Sequence, residues 1–255
     1  MRFASLGSGS EGNALVVQDG QTCVLVDCGF TLAGTAERLA RLDLAVCQIS
    51  GIVVTHEHGD HIAGVAHLAR KHSIPVWATH GTLQSHRGAL GELSNVTEIG
   101  PHHVFAVGGL QVQPYAVPHD AAEAVQYVFG DGARRLGVLT DAGCSTPHIE
   151  AMLDGCDALV LECNHDAAML ANGDYPPKLK QRVGGRFGHL SNADAAALLA
   201  RLDSSRLQHI VAAHLSKKNN ARELAVGALS AALNCEAGWI AVATQQDGLG
   251  WREIA

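Results

Sequence analysis

Short apolar segments separated by glycine-rich or Asp-Gly turns dominate the first half of the chain. The segments at about 1–6, 13–18 and 22–27 predict strands joined by hairpin turns, and the apolar segment at about 50–55 predicts a buried strand. Comparable segments follow and predict further strands near 75–78, 96–99, 103–107, 110–117, 125–130 and 134–140.

Helical periodicity interrupts this series. Residues 31–42 place apolar side chains on one face and predict a helix, and a second helix follows His61 and ends before Pro75. The second half alternates in the same way, with helices predicted after Thr146 and at 191–202 and 220–233, and strands at 158–163, 209–213, 239–243 and 249–253. This pattern favours an α+β fold of two packed sheets with helices outside, although periodicity alone leaves the topology open.

The composition is that of a globular protein. Hydrophobic residues make up 47% of the 255 residues and charged residues 17%. The length allows one large domain or two small ones, and the lack of any linker favours a single domain over residues 1–255. The net charge of −7 argues against a protein that coats nucleic acid through its overall field, but it leaves room for a local basic patch.

Several classes of protein are excluded by features that the chain lacks. No apolar stretch approaches the roughly 20 residues of a membrane span, and the N-terminus lacks the apolar region of a signal peptide. The seven cysteines are scattered without a C-x-x-C pair, as in proteins of a reducing compartment. We therefore expect a cytoplasmic protein that does not bind membranes.

The strongest chemical signal is the sequence Thr55-His56-Glu57-His58-Gly59-Asp60-His61, which directly follows an apolar strand. A strand delivers His56 and His58, two positions apart, to the same side, and Asp60 and His61 follow at the start of a helix. Imidazole and carboxylate groups are ligands of divalent metals. A polar surface loop is the alternative, and three histidines with an aspartate in so short a stretch make it a poor explanation.

This H-x-H-x-D-H sequence resembles the signature of the metallo-β-lactamase superfamily. The other signature positions are matched in order, each by an Asp or His that ends an apolar segment: Asp27, His119, Asp141 and His214. Any one of these residues alone is more typical of a hydrogen-bonded structural group, but their order and context favour the resemblance. It implies a four-layer αββα sandwich of two mixed β-sheets flanked by helices.

The resemblance also implies two divalent metal ions, zinc or manganese. The expected ligands of the first ion are His56, His58 and His119, those of the second are Asp60, His61 and His214, and Asp141 bridges both. Asp27 is expected to hold the ligand loop through hydrogen bonds. In such sites a shared water has its pKa lowered to about 7, and the bridging hydroxide is the nucleophile, with Asp60 and Asp141 in the catalytic centre.

Four stretches resemble the bacterial YycJ/WalJ group of this superfamily. They are residues 5–13 (SLGSGSEGN), 161–166 (LECNHD), 188–192 (GHLSN) and 214–220 (HLSKKNN). This group is related to ribonuclease Z in its core and is associated with metal-dependent 5′→3′ DNA exonuclease activity. The resemblance implies a nucleic-acid substrate, DNA rather than RNA, and no obligate protein partner. It places His165 near the metals, and Cys163 departs from the small residue expected there.

Three features predict contacts with phosphate. A loop containing Ser8, Gly9 and Ser10 can present backbone amides to an anion, although a plain hairpin turn is equally consistent. Ser191 and Asn192 begin a capped helix, and the preceding His189 is either a proton donor to the leaving oxygen or a structural histidine. The segment between Pro177 and His189 has no acidic residue and carries four cations: Lys178, Lys180, Arg182 and Arg186. These cations predict a track for a phosphate backbone beside the site, and a solvated surface loop is the alternative.

Two other functions remain open at this point. A hydrolase of small esters, thioesters or lactones is compatible with the same fold, but it requires a narrow apolar pocket in place of the cationic segment. A non-catalytic binding module is disfavoured because every metal-ligand position is intact. Activity on bis-p-nitrophenyl phosphate compared with thioesters separates the first alternative from a phosphodiesterase.

Overall fold

The computed structural model describes residues 1–255 and contains two seven-stranded sheets. The first sheet consists of β1 (Arg2–Gly7), β2 (Ala14–Asp19), β3 (Thr22–Val26), β4 (Gly51–Val53), β5 (Val76–Thr79), β6 (Val96–Ile99) and β14 (Leu249–Glu253). Its order is β14-β1-β2-β3-β4-β5-β6. The pairs from β14 to β3 are antiparallel and those from β3 to β6 are parallel, so this sheet is mixed.

The second sheet has the same mixed character. It consists of β7 (Phe105–Val107), β8 (Leu110–Ala116), β9 (Val125–Gly130), β10 (Arg135–Leu139), β11 (Ala158–Glu162), β12 (His209–Ala213) and β13 (Ile240–Val242). Its order is β13-β12-β11-β10-β9-β8-β7, antiparallel from β7 to β10 and parallel from β10 to β13.

Ten α-helices and two short 3₁₀ helices (Val46–Gln48 and Ala237–Trp239) complete the secondary structure. The α-helices are, in chain order, α1 (Leu32–Ala40), α2 (Gly59–Ile62), α3 (Val65–His72), α4 (His80–Ser85), α5 (Arg87–Leu90), α6 (Pro147–Leu153), α7 (Ala167–Asn172), α8 (Pro177–Val183), α9 (Asn192–Leu199) and α10 (Arg222–Leu233). The longest, α10, has 12 residues. None combines the length and the apolarity that crossing a bilayer requires.

Three groups of buried apolar residues define four layers. One group joins the facing sides of the two sheets, for example Phe3 and Val24 of the first sheet with Phe129 and Val211 of the second. A second group packs the outer face of the first sheet against α1 and α3. The third packs the outer face of the second sheet against α6, α9 and α10. The predicted αββα sandwich is therefore confirmed.

The apolar pattern predicted every strand and the longer helices to within three residues. It did not predict the short helices α4, α5, α7 and α8, and the single helix expected after His61 is divided into α2 and α3. The cationic segment is thus largely helical, in α8, and is not a loop. A Pro-Pro pair usually indicates the end of a helix. Here Pro177 lies in the first turn of α8, where its missing N–H removes no helical hydrogen bond.

Candidate metal centre and active-site cavity

Three histidine rings converge at the edge of the sandwich. His58 Nδ1 lies 3.0 Å from His56 Nε2 and 3.2 Å from His119 Nε2. The other nitrogen of each ring contacts an oxygen. His56 contacts the hydroxyl of Thr55, His58 the carbonyl of Asp120, and His119 the carbonyl of Gly188. These oxygens accept the ring protons, so the three converging nitrogens carry lone pairs. Lone pairs that converge without a proton fit a divalent cation.

A second group of ligand atoms adjoins the first. Atoms of Asp60, His61 and His214 lie within 4.8 Å of one another. His61 Nδ1 is 2.8 Å from Asp27 Oδ2, and its Nε2 is 2.9 Å from Asp141 Oδ2. His214 Nε2 is buried without a hydrogen-bond partner. Such an orphaned atom costs about 1–3 kcal/mol, and a bound metal removes that cost.

Asp141 connects the two groups of ligands. It clusters with His56 and His61 on one side and with His214 on the other. The structure therefore brings together all seven residues that the sequence suggested as ligands, and it places the expected bridging residue between them.

Asp27 organises the loops that carry these ligands. Its carboxylate accepts hydrogen bonds from the backbone N–H and the hydroxyl of Thr55, both at 2.8 Å, in addition to the contact with His61. The neighbouring Gly29 lies so close to the loop of Asp60 that an added Cβ would be 1.8 Å from the Asp60 carbonyl oxygen. The contacts are those expected of a residue that positions the ligand loop.

Glu162, at the end of β11, is a site residue that sequence reasoning missed. It is fully buried, and its Oε1 accepts from His189 Nδ1 at 2.7 Å and lies 3.2 Å from His214 Nδ1. Its Oε2 accepts from the backbone N–H groups of Ala142 and Leu190. Like Asp27 and Asp141, Glu162 is a carboxylate that ends an apolar strand, and that signal was available in the sequence.

Burial and nearby carboxylates divide the histidines into two kinds. Burial lowers the pKa of both His56 and His119 from the ordinary value, which keeps these rings neutral and able to bind a metal. Burial alone would also lower the pKa of His61 and of His214, but Asp141 acting together with Asp27 on His61, and with Asp60 and Glu162 on His214, outweighs it and raises each pKa to about 10. One half of the site thus offers neutral imidazoles, whereas the other half holds protons on His61 and His214 that a bound cation would displace.

His189 joins the acidic half of the site. Burial would lower its pKa, but Glu162 and then Asp141 outweigh burial and raise the pKa to about 11. Its Nδ1 is 3.0 Å from Asp141 Oδ1 as well as 2.7 Å from Glu162 Oε1. No protein group bonds Nε2, and the side chain is 21% exposed where it lines the cavity.

An open cavity of about 330 Å³ lies over the metal-ligand cluster. It is lined by ligand residues, by residues from five loops and by residues of α8. The lining residues are Ser10, His58, Gly59, Asp60, Asp141, Asn164, Tyr175, Arg182, Val183, His189, His214 and Ser216. Of the predicted phosphate contacts, Ser10, Arg182 and His189 therefore face the cavity.

The prediction that Ser8 and Gly9 contact phosphate is corrected by their hydrogen bonds. Both residues are buried. The Ser8 hydroxyl accepts from the backbone N–H of His214 at 2.8 Å, and the Gly9 N–H donates to Asn13 Oδ1 at 2.8 Å. The amides of Ser8 and Gly9 are therefore bonded within the protein, and the Ser8 hydroxyl supports the backbone of His214.

Ser191, Asn192 and His165 also lie outside the cavity lining. The Ser191 hydroxyl caps α9 by accepting from the backbone N–H of Asp194, and the Asn192 side chain is bonded to Asn220. His165 is buried, but its ring makes no hydrogen bond to any predicted ligand, and its Nδ1 is unpartnered. His165 therefore makes no direct contact with the expected ligands, and Ser191 and Asn192 are bonded within the fold; a role of these three residues near the metals or the phosphate stays a prediction.

The four cations of the α8 segment are not equivalent. Arg182 lines the cavity and forms an ion pair with Asp120, the residue after His119. The Lys180 ammonium donates to the carbonyl of Ala171 at 2.7 Å. Lys178 and Arg186 are exposed. The segment therefore borders the site, with one cation at the cavity and two free at the surface.

Comparison with known proteins is consistent with this geometry. The family description "Beta-lactamase superfamily domain" matches residues 22–210. The chain is 37% identical over 229 residues to an exodeoxyribonuclease, YycJ, of Bacillus anthracis, covering 88% of this chain and 86% of that protein. It is 33% identical over 230 residues to exodeoxyribonuclease WalJ of Streptococcus pneumoniae, covering 88% and 85% of the two chains.

Solved structures show the same fold at low sequence identity. The metallo-β-lactamase fold protein YhfI of Bacillus subtilis superposes with a TM-score of 0.76 at 15% identity, covering 99% of each chain. The short form of human tRNase Z gives a TM-score of 0.66 at 19% identity, covering all of both chains. The family expected from the sequence is therefore confirmed: the chain belongs to the metallo-β-lactamase superfamily and, within it, to the YycJ/WalJ family, and it is a metal-dependent hydrolase.

Proposed function

We propose that this protein is a two-metal DNA exonuclease that digests from the 5′ end. The observation that carries the proposal is the convergence of histidine and carboxylate ligand atoms into two adjoining groups that share Asp141, under an open cavity bordered by cations. The exodeoxyribonucleases YycJ and WalJ, which share most of its length, support DNA as the substrate and also support a nuclease rather than a small-ester hydrolase.

The ligand set fits two divalent ions, zinc or manganese, by the lone pairs and the orphaned atom described above. His56, His58 and His119 would hold one, Asp60, His61 and His214 the other, and Asp141 both. Bound there, such ions supply Lewis-acid activation of a water and of the phosphoryl group. Asp27 keeps the Nε2 lone pair of His61 directed at the site by accepting the proton on Nδ1.

His189 is placed to donate a proton to the leaving oxygen of the phosphodiester. Glu162 fixes its Nδ1 and thereby leaves Nε2 directed to the cavity. A donor held in this way contributes about 10²–10⁴-fold to a rate when the leaving group is a poor one, as the deoxyribose oxygen is. Arg182 at the cavity edge supplies positive charge for a neighbouring phosphate once the phosphate displaces Asp120.

The test combines elemental analysis of the purified protein with digestion of end-labelled DNA and RNA. We expect close to two divalent ions per chain, and mononucleotide release that begins at the 5′ end of DNA. Release from the 3′ end would refute the polarity, and a single ion per chain would refute the two-metal assignment. Hydrolysis of thioesters or lactones in preference to DNA would favour the small-ester hydrolase.

A further inference from the structure

We propose that Tyr175, assisted by Lys218, forms a base-stacking subsite that accepts the terminal nucleotide of an unpaired DNA end. The proposal rests on the proposed nuclease function and narrows its substrate. Nothing in the metal-binding chemistry requires an aromatic ring in the cavity. Tyr175 is nevertheless there, in the turn before α8, and lines the same cavity as the expected ligands Asp60 and His214.

The environment of Tyr175 is that of a binding residue. The residue is half-buried and lines the cavity, but it belongs to none of the three apolar core groups. Its hydroxyl makes no hydrogen bond within the protein. Apart from the imidazoles of His58, His189 and His214, it is the only aromatic ring in the cavity lining. The fold therefore does not account for its position, whereas a stacking partner in the cavity does.

Lys218 adds positive charge to this side of the cavity. Its ammonium lies 5.7 Å from the centroid of the Tyr175 ring, within the range of a cation–π contact. It forms no ion pair, whereas the adjacent Lys217 is paired with Glu11 at 2.5 Å. Lys218 is therefore free to contact the phosphate of a nucleotide whose base lies on Tyr175. Ser10, exposed and without a side-chain hydrogen-bond partner, also lines the cavity.

The size of the cavity indicates an unpaired nucleotide. Its volume of about 330 Å³ is at the lower end of the range of about 300–1,000 Å³ for ligand pockets. A cavity of that size admits one nucleotide but not a base pair with both strands. Because every base has a flat π face, stacking on Tyr175 binds a terminal nucleotide of any sequence.

The test is a double-mutant cycle in which one change is made in the enzyme and the other in the substrate. Metal-loaded wild-type protein and Tyr175→Ala are assayed on single-stranded DNA whose 5′-terminal nucleotide either carries its base or is abasic. We expect each single change to lower kcat/KM by about 10- to 100-fold, as loss of one stacked base does. The combined change should cost no more than either alone, because both remove the same contact.

Further variants separate stacking from a structural role. Tyr175→Phe, which keeps the ring, should retain activity, and so should Trp239→Ala, which removes an exposed aromatic away from the cavity. Lys218→Gln should raise the KM for DNA and flatten the salt dependence of KM, whereas Lys217→Gln should change KM little.

If wild-type protein cleaves base-containing and abasic ends equally well, the subsite is refuted although the nuclease function stands. Equal loss on both substrates in Tyr175→Ala refutes it too, and absence of any DNA hydrolysis refutes the nuclease function itself.

Discussion

Removal of the His189 ring is the sharpest test of how the site handles protons. The ring is held by Glu162 at 2.7 Å and Asp141 at 3.0 Å, and Nε2 is free at the cavity. If Nε2 donates the proton to the leaving oxygen, His189→Ala should lower kcat on DNA by about 10²–10⁴-fold. That factor corresponds to about 2.7–5.4 kcal/mol of lost transition-state stabilisation.

Two readouts distinguish this role from simpler ones. A substrate that releases p-nitrophenolate needs little protonation, so bis-p-nitrophenyl phosphate should lose much less activity than DNA does. Metal content should change little, because the ring is not among the seven expected ligands. A matched control is His80→Ala, which removes an exposed histidine paired with Glu98 away from the cavity.

Two results would contradict the reasoning on His189. If metal content falls together with activity, the ring is a ligand or a support for one, and the ligand set must be revised. If DNA hydrolysis is unchanged, the proton comes from solvent or from another group, and the hydrogen bond to Glu162 serves only the fold.

The remaining predictions concern the metals, the cations and the core. Asp141→Ala should abolish hydrolysis and lower the metal content measured by elemental analysis without unfolding the protein; near-normal turnover would refute the bridging role. Glu162→Gln should slow DNA hydrolysis by a factor that does not multiply with that of His189→Ala, since both act through one ring. Changing the four cations of the α8 segment to Gln should weaken DNA binding and flatten its salt dependence, with much less effect on bis-p-nitrophenyl phosphate; equal loss on both substrates would indicate a structural role. Tyr127→Phe removes the hydroxyl that donates to the Val54 carbonyl at 2.6 Å, and it should lower the free energy of unfolding in urea by about 1–3 kcal/mol.

The sequence predicted most of the ligand set because those residues end apolar strands. Strand ends are local features, and the order of His and Asp residues along the chain is visible without coordinates. Glu162 has the same local feature, but its role depends on β11 lying between β10 and β12. That neighbourhood is a property of the sheet order, which the apolar pattern does not contain.

The errors at the glycine-rich loop have a long-range cause. Two of its amides looked free because their partners are distant in sequence: the Ser8 N–H donates to the Thr244 carbonyl, and the Glu11 N–H to Gln245 Oε1. The Gly9 N–H is bonded locally, to Asn13 Oδ1. A glycine-rich loop that binds an anion and one that is bonded to a remote segment have the same composition. Similarly, α8 is too short to show a helical period and buries no residue, so no apolar stripe marked it.

The hydrogen bond from the backbone of His214 to the Ser8 hydroxyl has a consequence for folding. It joins residues 206 positions apart, and β1, which ends just before Ser8, is paired on its outer side with β14. Closing a contact of such long sequence separation costs chain entropy, and folds rich in such contacts form slowly. The placement of His214 beside the other expected ligands therefore depends on the docking of both sheets and not on local structure alone.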